Sequence, residues 1–272
     1  DENAFAQKNQ FAKIGLGLHS FGGQQYQLTA GKKINKTSLI LHANHHQGNG
    51  YREQSGFQST NFNFRLVQEV AKNGKLEAIL NYMDSPIGDD PGGVNFESYD
   101  TNPIAARDRN VLFQTGEAIN QLKASLRYEG TLNDKLKLNT YAFYSNRNFF
   151  GLLPFGFGGI VDLKRDFFGH GSALSGKQSN NDLTWNWQLG YELSSQRDDR
   201  ERFVSNDGAQ GETTLHQDEL FSNTGLYFVN DLSINNWILN LALRYDFNHI
   251  EAKDKFLGNG DDSGEINLND FN

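Results

Sequence analysis

The sequence contains no cysteine, 4 prolines and 1 methionine among 272 residues. Without cysteine it has neither a disulfide framework nor a thiolate metal site. No run of about 18 apolar residues occurs, so no helical membrane span is expected. Mean hydropathy is low at −0.64. That does not exclude a membrane protein, because a barrel strand needs apolar residues only at every second position. The net charge of −8 leaves no basic surface for nucleic acid. The opening DENAFAQKNQ has neither the positive region nor the apolar stretch of a signal peptide. This start fits a chain whose signal has been removed, or one that begins within a longer protein. The end at Phe271-Asn272 likewise fits a segment of something longer. What is abundant is aromatic and small: 21 Phe and 28 Gly.

The clearest pattern lies in Asp182 to Gln196, DLTWNWQLGYELSSQ. Leu183, Trp185, Trp187, Leu189, Tyr191 and Leu193 alternate with Thr184, Asn186, Gln188, Gly190, Glu192 and Ser194. Successive strand side chains point to opposite faces, so this segment is an apolar wall backed by a polar one. Trp237 to Asn248 repeats it. Eleven strands are expected, at 11–20, 24–33, 37–47, 58–71, 75–85, 119–132, 135–148, 167–177, 183–196, 219–234 and 237–250. Several reach the roughly 9–11 residues that cross a bilayer at a tilt.

The connections sort by length. Lys33 to Lys36, Lys72-Asn73-Gly74, Asn133-Asp134, Ser179 to Asn181 and Asn235-Asn236 are short turns. Between them, 48–57, 86–118, 149–166 and 197–218 read as long loops, with 251–272 running off the end. In up-and-down order this puts short turns at one end of the strands and long loops at the other, with Gly22-Gly23 the exception. Transmembrane barrels have that asymmetry, with short periplasmic turns and long extracellular loops. The polar face is too charged for a sandwich core: burying Lys123, Arg127 and Glu129 without water costs several kcal/mol per ion. A wet or plugged lumen removes that cost. Trp237 and Tyr245 are spaced to sit at the two edges of an apolar band about 25 Å tall. An aromatic stripe in a soluble sheet is the plainer alternative. The sequence is therefore all-β, an antiparallel up-and-down transmembrane β-barrel in part.

Several segments carry a family resemblance: GNGYREQSGFQSTNFNFRL at 48–66, LNYMDSPIGDDPGG at 80–93, ARDRN at 106–110, LSSQRDDRERF at 193–203, LHQDELFSNTGLYFVNDLSI at 215–234 and LALRYDF at 241–247. In order and spacing they resemble the barrel of TonB-dependent outer-membrane receptors of the ferric-siderophore type, from about Lys13 onward. The resemblance implies a barrel of about 22 strands around an N-terminal plug. Eleven strands make residues 1–272 the N-terminal half of such a barrel, with the plug, the TonB box and the C-terminal half not present. An open half-barrel exposes two strand edges, so a piece of a larger barrel is expected.

Four groups of residues invite chemistry. Arg107, Arg109, Arg147 and Arg165 lie in or beside long loops, and Arg suits bidentate capture of an anionic ligand; a solvated charge is the plainer reading of each. Phe149, Phe150, Phe155 and Phe157, in an apolar Gly-rich loop, form a candidate aromatic platform, or a loop that merely packs on its neighbours. In HANHH, His42 and His46 share a face but stand about 13 Å apart, too far to bind one ion. Asp254, Asp261, Asp262 and Glu265 offer oxygen ligands without the calcium-loop spacing, so a solvated acidic loop is expected. Arg197, Arg200 and Arg202, interleaved with Asp198, Asp199 and Glu201, are expected to be self-paired.

No G-x-S-x-G, phosphate loop or zinc helix motif occurs, so no enzyme is expected. A lipase-like barrel acting through His170 or His216 is the weakest alternative. The resemblance implies TonB-dependent uptake of a ferric siderophore or a similar scarce ligand. It also implies a site in the outer membrane of a Gram-negative bacterium, in contact with its lipid. Coupling to the TonB complex would run through the N-terminal segment not present. Iron enters only within the transported ligand, and no cofactor is expected. A passive porin and a non-transporting surface binding protein are the alternatives.

Overall fold

The computed structural model describes residue 5 and residues 8–70, 73–180 and 182–271. Ala71 and Lys72, expected at a strand end and turn, Asn181 of the Ser179–Asn181 turn, and Asn272 lie outside the described residues. The elements are β1 (Gln10–His19), β2 (Gly23–Ile34), β3 (Thr37–Gly48), β4 (Phe57–Val70), β5 (Gly74–Gly88), α1 (Phe96–Thr101), α2 (Asp108–Leu112), β6 (Gly116–Asn133), β7 (Leu136–Leu152), β8 (Ile160–Ser179), β9 (Leu183–Asn206), β10 (Ala209–Ile234), β11 (Trp237–Asp254) and β12 (Gly264–Phe271). All twelve strands join one antiparallel sheet in chain order. Among the described residues β1 pairs only with β2 and β12 only with β11, so the sheet is not closed.

Three expectations are corrected. A twelfth strand occupies the end of the expected 251–272 loop. Its Ile266 and Leu268 face the polar side of the sheet and its Glu265, Asn267 and Asn269 the other, which inverts the alternation of its neighbours. The 149–166 loop shrinks to 153–159, because β7 and β8 continue into it. The 197–218 loop shrinks to Asp207-Gly208, both at positive φ (51° and 92°), the two-residue turn that matches strand twist. In 197–206 both faces carry charged and polar residues, and in 149–152 and 160–166 both carry apolar ones, Phe149 and Leu163 on one face and Leu152 and Ile160 on the other, so neither segment alternates and the period-two signal fades while the pairing continues.

At the other end the turns behave as their residues require. Asn35, Asn73 and Asn235 take φ of 52°, 61° and 51°, a region Asn tolerates.

The apolar face carries a continuous band. Leu16 and Trp237 are 78% and 82% exposed, and Leu126, Leu189, Leu226, Leu239 and Leu241 are also exposed. Among the described residues no protein group covers this band, as is required of a surface facing lipid. The polar exception on that face, Asn230, accepts a hydrogen bond from Trp185 Nε1 at 2.6 Å, which satisfies its carbonyl within the band. Most of the buried apolar side chains, Ile160, Phe203, Phe113 and Ala106, lie at the loop end. That end is where the chain folds over itself; the sheet between leaves its apolar face exposed.

Candidate functional site

On the polar face the register brings side chains into transverse rows. One row reads Gln121, Arg147, Arg165, Asp198, Glu219 from β6 to β10. The row toward the turns reads Lys123, Ser145, Phe167, Gln196, Phe221. Two arginines thus stand directly opposite one another, and so do two carboxylates. Like charges in that position are destabilising unless they are compensated.

The compensation is incomplete. Arg165 makes a bidentate pair with buried Asp198, Nε to Oδ1 at 2.8 Å and Nη2 to Oδ2 at 2.5 Å, and Gln196 donates to the same carboxylate at 3.2 Å. Glu219 is held by Arg200 Nη1 at 3.1 Å. Among the described residues Arg147 has no acidic partner: its guanidinium lies 5.5 Å from the Phe149 ring centre, and its buried Nε has no hydrogen-bond partner. Lys123 likewise has no carboxylate within 4.0 Å among the described residues. Two cations are left over in one groove of about 510 Å³, lined by Asn81, Gln121, Lys123, Phe143, Arg147 and Phe167 among others.

The aromatic side of the groove depends on a glycine. Phe143 and Phe167 meet edge to face at 5.0 Å. Phe143 lies over Gly169, where an added Cβ would come within 2.4 Å of its ring. An aromatic ring covering a strand glycine is a recurring device of curved sheets.

The family described as TonB dependent receptor-like, beta-barrel matches residues 61–272, most of the chain. The protein belongs to this family of TonB-dependent receptor β-barrels. It is a family of receptors rather than of enzymes. The fold also aligns with the ferric citrate transporter FecA in the unliganded form (TM-score 0.77, 16% identity, 96% of this chain and 40% of that one). It aligns with the siderophore receptor PiuA from Acinetobacter baumannii (0.73, 13%, 97% and 46%) and with the copper transporter OprC (0.60, 13%, 96% and 41%). The chain spans less than half the length of each. No curated protein matches the sequence. At these identities the structural likenesses carry the fold alone.

In a TonB-dependent receptor barrel the apolar face meets lipid and the polar face lines the lumen. Arg147 and Arg165 therefore project into the lumen side by side, with Phe149 one position above Arg147 on that face. Phe150 alternates to the outer face, and Phe155 and Phe157 sit in the 153–159 loop, Phe157 81% exposed. No ring contact among the described residues joins these four phenylalanines to one another. The loop instead packs on its neighbour, with Ser205 N donating to Gly156 O at 2.7 Å. Arg107 caps α2 through its backbone and Arg109 stacks 5.8 Å from Phe113, both exposed in the 89–115 connection and away from the Arg147 row.

The self-pairing expected of Arg197, Arg200 and Arg202 is also corrected. Adjacent strand residues point to opposite faces, so pairing runs across strands: Arg200 takes Glu219, Asp198 takes Arg165, and among the described residues Arg197 and Arg202 have no acidic partner. His42 Nδ1 is 2.8 Å from Thr29 Oγ1, and His45 Nδ1 2.8 Å from Thr60 Oγ1. Asp254 accepts from Phe256 N and Asp262 N, which folds the acidic loop on itself. Among the described residues no group of three or more His, Asp and Glu is placed to hold a metal.

Sequence reasoning missed a structural residue inside a segment it had quoted. Arg52 donates to Ala105 O at 2.7 and 3.0 Å and to Gly92 O at 2.6 Å, stapling the 89–115 connection over the 49–56 loop. Gln54 Nε2 adds bonds to Asn110 O and Thr115 O, at 2.8 and 3.0 Å. The polar run YREQS carried the signal, but acceptors about 40 to 50 residues away in sequence cannot be read from it. It also missed Lys123, Phe143 and Phe167 as groove residues, since only register joins them to Arg147.

Proposed function

We propose that the chain is part of an outer-membrane receptor that takes up a scarce anionic ligand, a ferric siderophore being the best fit, by TonB-dependent transport. The observation that supports this reading most is the pair of uncompensated cations, Arg147 and Lys123, facing Phe143 and Phe167 in one lumen groove. A planar guanidinium captures carboxylates and other oxyanions in two contacts, and it gains from a site partly shielded from water. Family membership supports the barrel. Neighbours that include a ferric citrate transporter and a siderophore receptor support the ligand class. In this mechanism the loops and plug capture the ligand, the TonB complex pulls on the plug, and the ligand crosses the lumen past the Arg147 row. Oxyanions of the ligand displace water from Arg147 and Lys123, while the Arg165–Asp198 pair holds the wall in register.

The test is growth of a strain deleted for the full-length gene, under iron limitation, with single siderophores supplied. Growth restored on one siderophore only when both the gene and TonB are present establishes the reading. Normal growth of the deletion strain on every iron source overturns it and directs the search to glycans, cobalamin, copper or passive diffusion.

A further inference from the structure

Two transverse rows on the lumen face run from β2 to the uncompensated cations. One reads Gln27, Asn44, Asn61, Met83, Gln121 and ends at Arg147. The other reads Thr29, His42, Asn63, Asn81 and ends at Lys123. No Asp, Glu, Lys or Arg stands in either row between β2 and its cation. Beyond Arg147 the same wall turns to Arg165, Asp198 and Glu219. We propose that the neutral wall of β3–β5 binds a hydroxyl-rich, sugar-like body of the ligand whose anionic group Arg147 and Lys123 hold. The anionic end rests on the uptake reading; the neutral end rests on the wall itself.

The amides of the wall pair with one another and leave both hydrogen-bonding roles open. Asn61 Nδ2 donates to Asn44 Oδ1 at 3.0 Å and to Ser59 Oγ at 3.1 Å, and Asn81 Nδ2 donates to Asn63 Oδ1 at 2.6 Å. Among the described residues the Nδ2 donors of Asn44 and Asn63 and the Oδ1 acceptors of Asn61 and Asn81 have no partner. In each row a free donor thus faces a free acceptor on the next strand, about 5 Å away. A hydroxyl both donates and accepts, so a ring bearing several of them matches this wall; a carboxylate only accepts and matches half of it. Above the rows on the same face, Phe57 lies over Gly48, where an added Cβ would meet the ring at 2.9 Å, and its ring centre is 5.6 Å from that of His46. Phe57 is 40% exposed, which leaves an aromatic face for the C–H groups of a sugar. Cost sets the direction of the body. Laid over Arg165, Asp198 and Glu219 it would take water from ions, whereas amides regain from hydroxyls the bonds they give up to water. Asn81 and Lys123 stand directly opposite one another and line the same groove, so wall and cations form one continuous surface. The next charge toward the turns, Arg65, is paired with Glu77.

The experiment uses the whole receptor, purified in detergent, and probes that need no iron. Lactobionate (a carboxylate on a sugar body), lactose and acetate are titrated in parallel by calorimetry. Lactobionate is expected to bind at least roughly 10-fold more tightly than acetate, the net gain of about two hydrogen bonds, and the N63L/N81L variant is expected to lose that margin. Equal affinity for lactobionate and acetate, or no binding of either, overturns the proposal; a wall covered by another part of the receptor gives this result. A margin that survives in N63L/N81L overturns it as well. Lactose bound as tightly as lactobionate, and more weakly by the variant, supports the wall and removes the anion from it, so the uptake reading then fails alone. If the variant loses the heat-modifiable gel mobility of a folded barrel, the wild-type comparison of lactobionate with acetate decides.

Discussion

Strands β8–β11 run through two regions with different physical rules. In the lower region the outer face is a band of Trp, Leu, Tyr and Phe, and hydrogen bonds to side chains on that face are few, Trp185–Asn230 being one. In the upper region the outer face is charged, and neighbouring strands are tied by cross-strand pairs. β9 and β10 have 24 and 26 residues, more than twice the roughly 9–11 that cross a bilayer. The backbone ladder is the same throughout; the solvent on the outer side is not. One secondary structure thus carries two surface codes, and the change of code marks the membrane boundary.

This contrast can be tested by moving one residue type between the regions. Leu241→Arg places a charge in the band and is expected to destabilise the folded barrel by about 2–4 kcal/mol in lipid, read from urea unfolding in vesicles. The inner-face pair of the upper region comes next: Asp198→Asn removes the bidentate partner of Arg165, whose side chain is 34% exposed, and should cost roughly 2 kcal/mol. It is read as faster amide exchange along β8 and β9, and unchanged exchange would show that the pair contributes nothing. Trp185→Phe strands the Asn230 carbonyl among lipid and should cost about 1 kcal/mol; Asn230→Leu in the same background should recover it. Leu220→Arg, on the outer face of the upper region, is expected to stay within about 0.5 kcal/mol of the wild type, and a loss as large as that of Leu241→Arg would erase the boundary drawn here.

The smallest effect concerns pH. Lys255, just beyond the end of β11, is held above its ordinary value of 10.5, chiefly by its hydrogen bond to Asp218, with Asp218, Asp199 and Glu201 adding attraction. A raised cation contributes stability that is complete at neutral pH and is lost as pH rises through the folded-state value. Proteolysis at the tip of the β10–β11 extension should therefore accelerate only above pH 10.5, and Lys255→Gln should abolish that step.

The sequence made the lower region legible because a lipid-facing strand must repeat every second residue. Leu183 to Leu193 and Trp237 to Phe247 announce themselves for that reason, and all eleven expected strands lie within or close to observed ones. The upper region escaped because Arg197 to Asn206 alternates between two polar faces, which period two cannot separate. The site was half visible. Arg147 and Arg165 were recognisable by type, but their opposition depends on the β7–β8 register, fixed by a connection read as eighteen residues (149–166) and found to be seven (153–159). Phe149 and Phe150 were misplaced by the same error: a loop could gather them, whereas a strand sends them to opposite sides.

The Arg52 staple bears on how a ligand would be held. The 89–115 connection is long enough to sample many shapes, and a loop that orders only on contact subtracts that ordering from affinity. Here Arg52 and Gln54 tie it to the 49–56 loop, chiefly through backbone carbonyls, with one further bond from Gln54 Nε2 to Thr115 Oγ1 at 3.2 Å. Under the proposed uptake reading, a mouth above β4–β6 tied down in this way would meet its ligand with its shape already in place.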